Sequence, residues 1–79
     1  MINVTELENY ISQLTNEIGI DHSVNLFEGG FLSSLDVLDL INFIEMKFDL
    51  KLSEDEMTIE NLGTINNMVG MIERLMVTK

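Results

Sequence analysis

Apolar residues recur at helical spacing in three stretches of this sequence, and no stretch keeps the period-two alternation of a strand. Leu7, Ile11, Leu14 and Ile18 are separated by four, three and four positions, one stripe of a 3.6-residue helix. Thr5 and Glu8 in "TELE" stand at capping-box spacing, so the first helix is expected from about Glu6 to Ile18, with Gly19 ending it. On a wheel of 100° per residue, Val37, Leu40, Ile41, Ile44 and Phe48 share one sector and define a second helix starting near Ser34. A final helix follows from Ile65, Met68, Val69, Ile72, Leu75 and Met76, capped by Thr64 and weakened but not broken by Gly70.

Between these helices the sequence is irregular but not featureless. "IDHSVNLFEGG" reads as a loop anchored by Val24, Leu26 and Phe27, and "DLKLSEDEM" as a polar connection turned inward at Leu50 and Leu52. "TIENL" is expected to form one short helical turn capped by Thr58. The expected fold is therefore all-α, a small four-helix bundle of three main helices and one short one. With 79 residues, no proline and no internal repeat, it forms a single domain over residues 1–79.

Such a chain holds one small core and no deep cleft. Its 46% apolar content excludes wholesale disorder, and the absence of tryptophan leaves Leu, Ile, Val, Met and Phe to build that core. There is no cysteine, which removes disulfides, thiolate metal sites and cysteine nucleophiles and fits a reducing compartment. "MINVTELENY" lacks the start of a signal peptide, and no segment reaches the roughly 18 to 20 apolar residues of a membrane span, so a cytoplasmic location is expected. Fourteen acidic against four basic residues give a net charge of −10, which repels nucleic acid and attracts basic protein surfaces.

The stretch "GGFLSSLDVLDL" concentrates what chemistry the chain has. Ser33, with Asp36 three positions later, has the place of a helix N-cap whose hydroxyl accepts from a backbone N–H. Ser34 is then the first helical residue, its hydroxyl exposed near the positive end of the helix dipole, where an attached phosphodiester is favoured by about 0.3 to 1 kcal/mol. A nucleophilic role would need a base, and His22, the one histidine, reads as a surface loop residue with no Asp or Asn constellation. No catalytic residue is assigned. The acidic run Ser53, Glu54, Asp55, Glu56 lacks the ligand alternation and glycine of a calcium loop and reads as a solvated turn, so no metal is assigned either.

On the solvent side of the second helix, Leu35, Leu38 and Met46 lie beside Asp36, Asp39, Asn42 and Glu45. Read without further context, these acids are an ordinary solvated face, with Leu35 and Leu38 tucked under the long loop. Of the six methionines most are packing, and Met46 is the candidate for a partner contact.

"NLFEGGFLSSLDVLDLINFIEMKFDLKL", followed by an acidic connection, a short turn and "TINNMVGMIERL", resembles the acyl and peptidyl carrier proteins over nearly the whole chain. The resemblance implies a non-catalytic four-helix carrier whose serine at the start of the second helix is esterified with 4′-phosphopantetheine, drawn from coenzyme A by a phosphopantetheinyl transferase. The matching residues are Ser34 and Leu35, with Phe27 and Gly30 in the upstream Phe-x-x-Gly position. Ser33 stands where the family usually has Asp, which makes it a formal rival as the attachment point and puts the efficiency and choice of transferase in question.

The resemblance also implies that cargo is held as a thioester and carried to acyl- or aminoacyl-loading and condensing enzymes with basic docking surfaces. Leu35, Asp36, Leu38, Asp39, Asn42, Glu45 and Met46 would form the docking face, partly buried and partly in partner contact, with weak, salt-sensitive binding. Reversing Asp39 and Glu45 to Lys is then expected to weaken partners and leave the fold nearly unchanged. The "GFLSSL" context and the lack of linkers point to a discrete, monomeric carrier of polyketide or nonribosomal peptide assembly, with fatty acid and D-alanyl carriers as alternatives. Rivals of other classes are an unmodified acidic adaptor that binds a basic protein through its second helix, and a small hydrolase.

Overall fold

The computed structural model describes residues 4–78, and among them there are four helices and no strand: α1 Val4–Thr15, α2 Ser34–Phe48, α3 Ile59–Leu62 and α4 Ile65–Thr78. The core is aliphatic and thioether. Leu7 and Ile11 of α1, Leu40 and Ile44 of α2, Leu62 of α3, and Ile65, Met68, Met71 and Ile72 of α4 are all at most 2% exposed, and Leu26 joins them from the long loop. Each such side chain contributes about 1.5 to 3 kcal/mol by leaving water, which is how a chain this small offsets its conformational entropy.

The stripe read on α2 faces inward: Leu40, Ile41 and Ile44 are buried, and Val37 and Phe48 pack half-buried against the same cluster. Leu50 and Leu52 turn inward as expected, Thr58 caps α3 by accepting the Asn61 N–H at 3.1 Å, and Thr64 caps α4 by accepting the Asn67 N–H at 3.0 Å.

Two stripes differ from expectation. α1 stops at Thr15, because Asn16 turns into the left-handed region (φ 59°) with its N–H on the Ser12 carbonyl at 2.8 Å, so Ile18 lies outside the helix and is 93% exposed. Gly19 (φ 75°) bends the loop beyond, and Thr5 sits within the helix, not ahead of it. In α4 the buried arc runs from Ile65 through Met68 to Met71, while Met76, read as core, is 42% exposed.

The long loop is tied to the far end of the chain. The Leu26 N–H donates to the Gly63 carbonyl at 2.7 Å, and the Asn66 N–H donates to the His22 carbonyl at 3.0 Å. Gly63 is buried at the α3–α4 junction, where a Cβ would stand 2.5 Å from the Ile59 carbonyl oxygen and 3.1 Å from the Asn25 amide, so only glycine fits without displacing backbone. His22 is thus more than a surface residue: its backbone holds α4, and its Nε2 lies 3.1 Å from Glu8 Oε2 on α1.

The start of the second helix and its outward face

The segment leading into α2 is built from its own hydrogen bonds. Asn25 Oδ1 accepts the N–H groups of Phe27 (3.0 Å) and Glu28 (2.9 Å), opening one helical turn. Gly30 closes that turn at φ 79°, while Phe31 N–H reaches the Leu26 carbonyl (2.9 Å) and Gly30 N–H the Phe27 carbonyl (3.1 Å). This is a Schellman ending, and the left-handed residue it needs is the glycine of "FEGG". Leu32 is then buried, and the chain arrives extended at Ser33 (φ −104°, ψ 172°).

Ser33 is the N-cap of α2 and forms a capping box with Asp36. Asp36 Oδ2 accepts the Ser33 backbone N–H at 2.9 Å, and the Ser33 hydroxyl also donates to that oxygen, at 3.2 Å. Ser34, one residue on, is exposed, and its hydroxyl has no hydrogen-bond partner among the described residues. The two adjacent serines therefore differ in kind: one side chain is engaged in the turn, the other points a free nucleophilic oxygen into solvent at the positive end of a 15-residue helix.

The outward face of α2 is open. Leu35 is 78% exposed, Leu38 64% and Met46 82%, so the long loop does not cover them and the expectation of partial burial is corrected. Asp39 and Asn42 are exposed beside them. Asp39 also accepts, through its backbone carbonyl, the Tyr10 hydroxyl at 3.0 Å. Tyr10 stacks on Phe43 with ring centroids 4.0 Å apart, and partial burial, then the negative charges of Asp39 and Asp36, raise its pKa above the ordinary value of 10.0.

Glu45 is different from its neighbours. Its Oε2 accepts the Leu52 N–H at 2.8 Å, and its carbonyl accepts the N–H groups of Asp49 and Leu50 that follow α2. Asp49 makes this possible by taking the left-handed conformation (φ 54°) that ends the helix. Reversing Glu45 to Lys would thus leave the Leu52 N–H without its side-chain acceptor, which argues against the expectation that this change leaves the fold nearly unchanged. No periodicity signals a bond between residues seven apart across a loop; a carboxylate late in a helix followed by inward leucines is the only hint the sequence offers.

Elsewhere the acidic run is also internally bonded. Glu56 Oε1 accepts the Ser53 N–H at 2.8 Å and the Ser53 hydroxyl at 2.9 Å, and these bonds, the backbone one first, hold the Glu56 carboxyl below its ordinary 4.5. Asp21 is lowered in the same way by the Ser23 hydroxyl and then its backbone N–H. Among the described residues no cluster of His, Cys, Asp and Glu could hold a metal ion, and no helix is long and apolar enough to cross a membrane.

A family profile described as "Phosphopantetheine attachment site" matches residues 5–72, most of the chain. The chain belongs to the acyl and peptidyl carrier family. Carriers of this family are not enzymes; they take 4′-phosphopantetheine covalently at this domain and meet phosphopantetheinyl transferases and biosynthetic enzymes. A curated protein from Serratia sp. (strain ATCC 39006), the "Probable acyl carrier protein PigG", is 28% identical over 57 residues, 72% of this chain and 66% of that protein. The chain therefore spans just under two thirds of that relative's length. At the start of α2 the unengaged, exposed Ser34 hydroxyl stands where a helix end favours a phosphate.

Proposed function

We propose that Ser34 carries the 4′-phosphopantetheine and that the chain works as one carrier domain over residues 1–79. It would hold an acyl or aminoacyl group and present it to loading and condensing enzymes of polyketide or nonribosomal peptide assembly. The observation that carries this reading is the contrast between the serines: the Ser33 hydroxyl is engaged with Asp36, whereas the Ser34 hydroxyl is exposed and unengaged. The name of the Serratia relative, a probable acyl carrier protein, supports acyl cargo.

When bound, the cofactor supplies the thiol on which cargo is held as a thioester. The chain's own residues do the rest. Ser33 and Asp36 fix the first turn so that the Ser34 oxygen is held at a rigid helix end, and the dipole of α2 stabilises the phosphodiester charge. Leu35, Leu38 and Met46 offer apolar contact, with Asp39 supplying an exposed charge to steer basic partners. Asp36 and Glu45 each have one carboxylate oxygen committed to a backbone N–H. A protein without cysteine keeps its only thiol on the arm, which suits a monomer in a reducing cytoplasm.

The test is intact mass after incubation with coenzyme A and a broad-specificity phosphopantetheinyl transferase. Wild type and Ser33→Ala are expected to gain one pantetheine unit and Ser34→Ala none. Gain in Ser34→Ala with loss in Ser33→Ala would move the attachment by one residue. No gain in folded wild type, beside a modified control carrier, would favour the unmodified adaptor.

A further inference from the structure

The outer face of α4 carries an open hollow lined by Gly70, Glu73, Arg74 and Val77. None of the four belongs to α2. Val77 is 87% exposed, an apolar side chain standing in solvent, and Glu73 and Arg74 are exposed beside it. Gly70 leaves a notch two turns away: beyond its own helix backbone, a Cβ built there would meet only the Arg74 Nη1, at 3.7 Å. Its φ is not positive, so the backbone has no need of a glycine there, and glycine inside a helix costs about 1 kcal/mol against alanine. What Gly70 supplies is space.

At 100° and about 1.5 Å per residue, Gly70 and Val77 lie about 20° apart on the midline of this face and about 10.5 Å apart along the axis. Glu73 and Arg74 straddle the midpoint between them, each about 50° off the midline and on opposite sides. A two-fold axis through that midpoint exchanges the members of each pair. In two copies of α4 laid antiparallel about it, Val77 of each enters the Gly70 notch of the other, and Glu73 of each meets Arg74 of the other. The face is complementary to itself in shape and in charge, which selects a second copy of this chain as its occupant. A parallel pair would set Val77 on Val77 and leave both notches empty.

We propose that two copies of the chain associate through antiparallel α4 helices, each Val77 seated over the other copy's Gly70. The notch lets the helix axes approach to about 8 Å, the close end of ordinary helix packing. A net charge of −10 on each copy opposes the pairing, but the hollow itself holds one acid and one base, and at about 0.15 M salt charges more than about 8 Å apart are largely screened. Arg74 also acts on Glu56, where it adds to the larger effect of the Ser53 bonds, so the pairing shares this cation with the acidic turn. Four residues per copy cover far less than the about 800 Å² per partner of a standard interface. The chain is therefore a monomer when dilute and pairs where two copies are held close, as on an enzyme that binds two carriers. Because α2 supplies no residue to the hollow, pairing and modification of Ser34 draw on different residues.

Sedimentation equilibrium of the purified chain over a rising concentration series tests this, with thermal melting as a check on the fold of each variant. Wild type is expected to shift from monomer towards dimer, and Gly70→Gln, which fills the notch while favouring the helix, to remain monomeric throughout. Glu73→Arg and Arg74→Glu are each expected to weaken association about tenfold, since either change turns both opposite-charge pairs into like-charge ones. The double variant exchanges the signs and restores both pairs, so it is expected to associate as wild type does. A merely structural role of either residue gives no such rescue. A wild type that stays monomeric to its solubility limit would overturn the proposal, as would association that survives Gly70→Gln in a folded protein, or a double variant no better than the single ones. The readout is mass in solution, so none of these results depends on whether Ser34 takes up pantetheine.

Discussion

The same four-residue device occurs twice in this molecule and ends differently each time. Ser33 and Asp36, and Ser53 and Glu56, each place a carboxylate oxygen on the backbone N–H and hydroxyl of a serine three positions earlier, at 2.9 and 3.2 Å in the first case and 2.8 and 2.9 Å in the second. After Ser33 a helix of 15 residues follows. After Ser53 the chain makes a single turn, with the Met57 N–H on the carbonyls of Ser53 and Glu54 at 3.2 Å, and leaves it. The boxes are alike in geometry; what differs is what comes next. Val37, Leu40, Ile41 and Ile44 give the first turn a stripe to bury, whereas Glu54, Asp55, Met57 and Thr58 are all exposed. Capping decides where a helix starts, and burial decides whether there is one.

Removing burial should separate the two factors most sharply. Leu40→Ala leaves the Ser33 box untouched and takes away a side chain with no exposure, so a loss of about 2 to 5 kcal/mol is expected in chemical denaturation. A loss below that of capping variants would mean that the box, and not the stripe, holds α2. Ser33→Ala is the middle case, with an expected cost of about 1 kcal/mol in the same measurement. The smallest effect belongs to the second box, and pH reads it. Because the folded-state pKa of Glu56 is lowered, its contribution is present above its ordinary 4.5 and is lost as pH falls through the lower folded value. Glu56→Gln is expected to lower stability slightly near neutrality, where the carboxylate contributes, and to converge on the wild type at low pH, so that the acid limb is flattened; an unaltered acid limb would deny the carboxylate that role.

Much of this was legible in the residues themselves because the signals were local. The α2 stripe, the Ser33 start, the Thr58 and Thr64 caps and the inward leucines Leu50 and Leu52 each follow from spacing within a turn or two. The end of α1 was not, because the spacing that reaches Ile18 says nothing of whether a neighbour lies there to cover it, and Asn16 tolerates the left-handed conformation that turns the chain away. Met71 and Met76 are both apolar on a helix, and only the placement of the other elements rotates the core towards Met71. At the candidate site, the exposed face of α2 could be read from the wheel, but the commitment of Glu45 to Leu52 depends on a loop path that no periodicity encodes.

The bond from Leu26 to the Gly63 carbonyl has a consequence for synthesis. The turn that delivers Ser33 and Ser34 is anchored by Leu26 to a residue made 37 positions later (63 − 26), at a junction that also packs the start of α4. A chain emerging from the ribosome therefore exposes the serines well before it can hold them in place, and the turn that carries them is fixed only once the α3–α4 junction has been made.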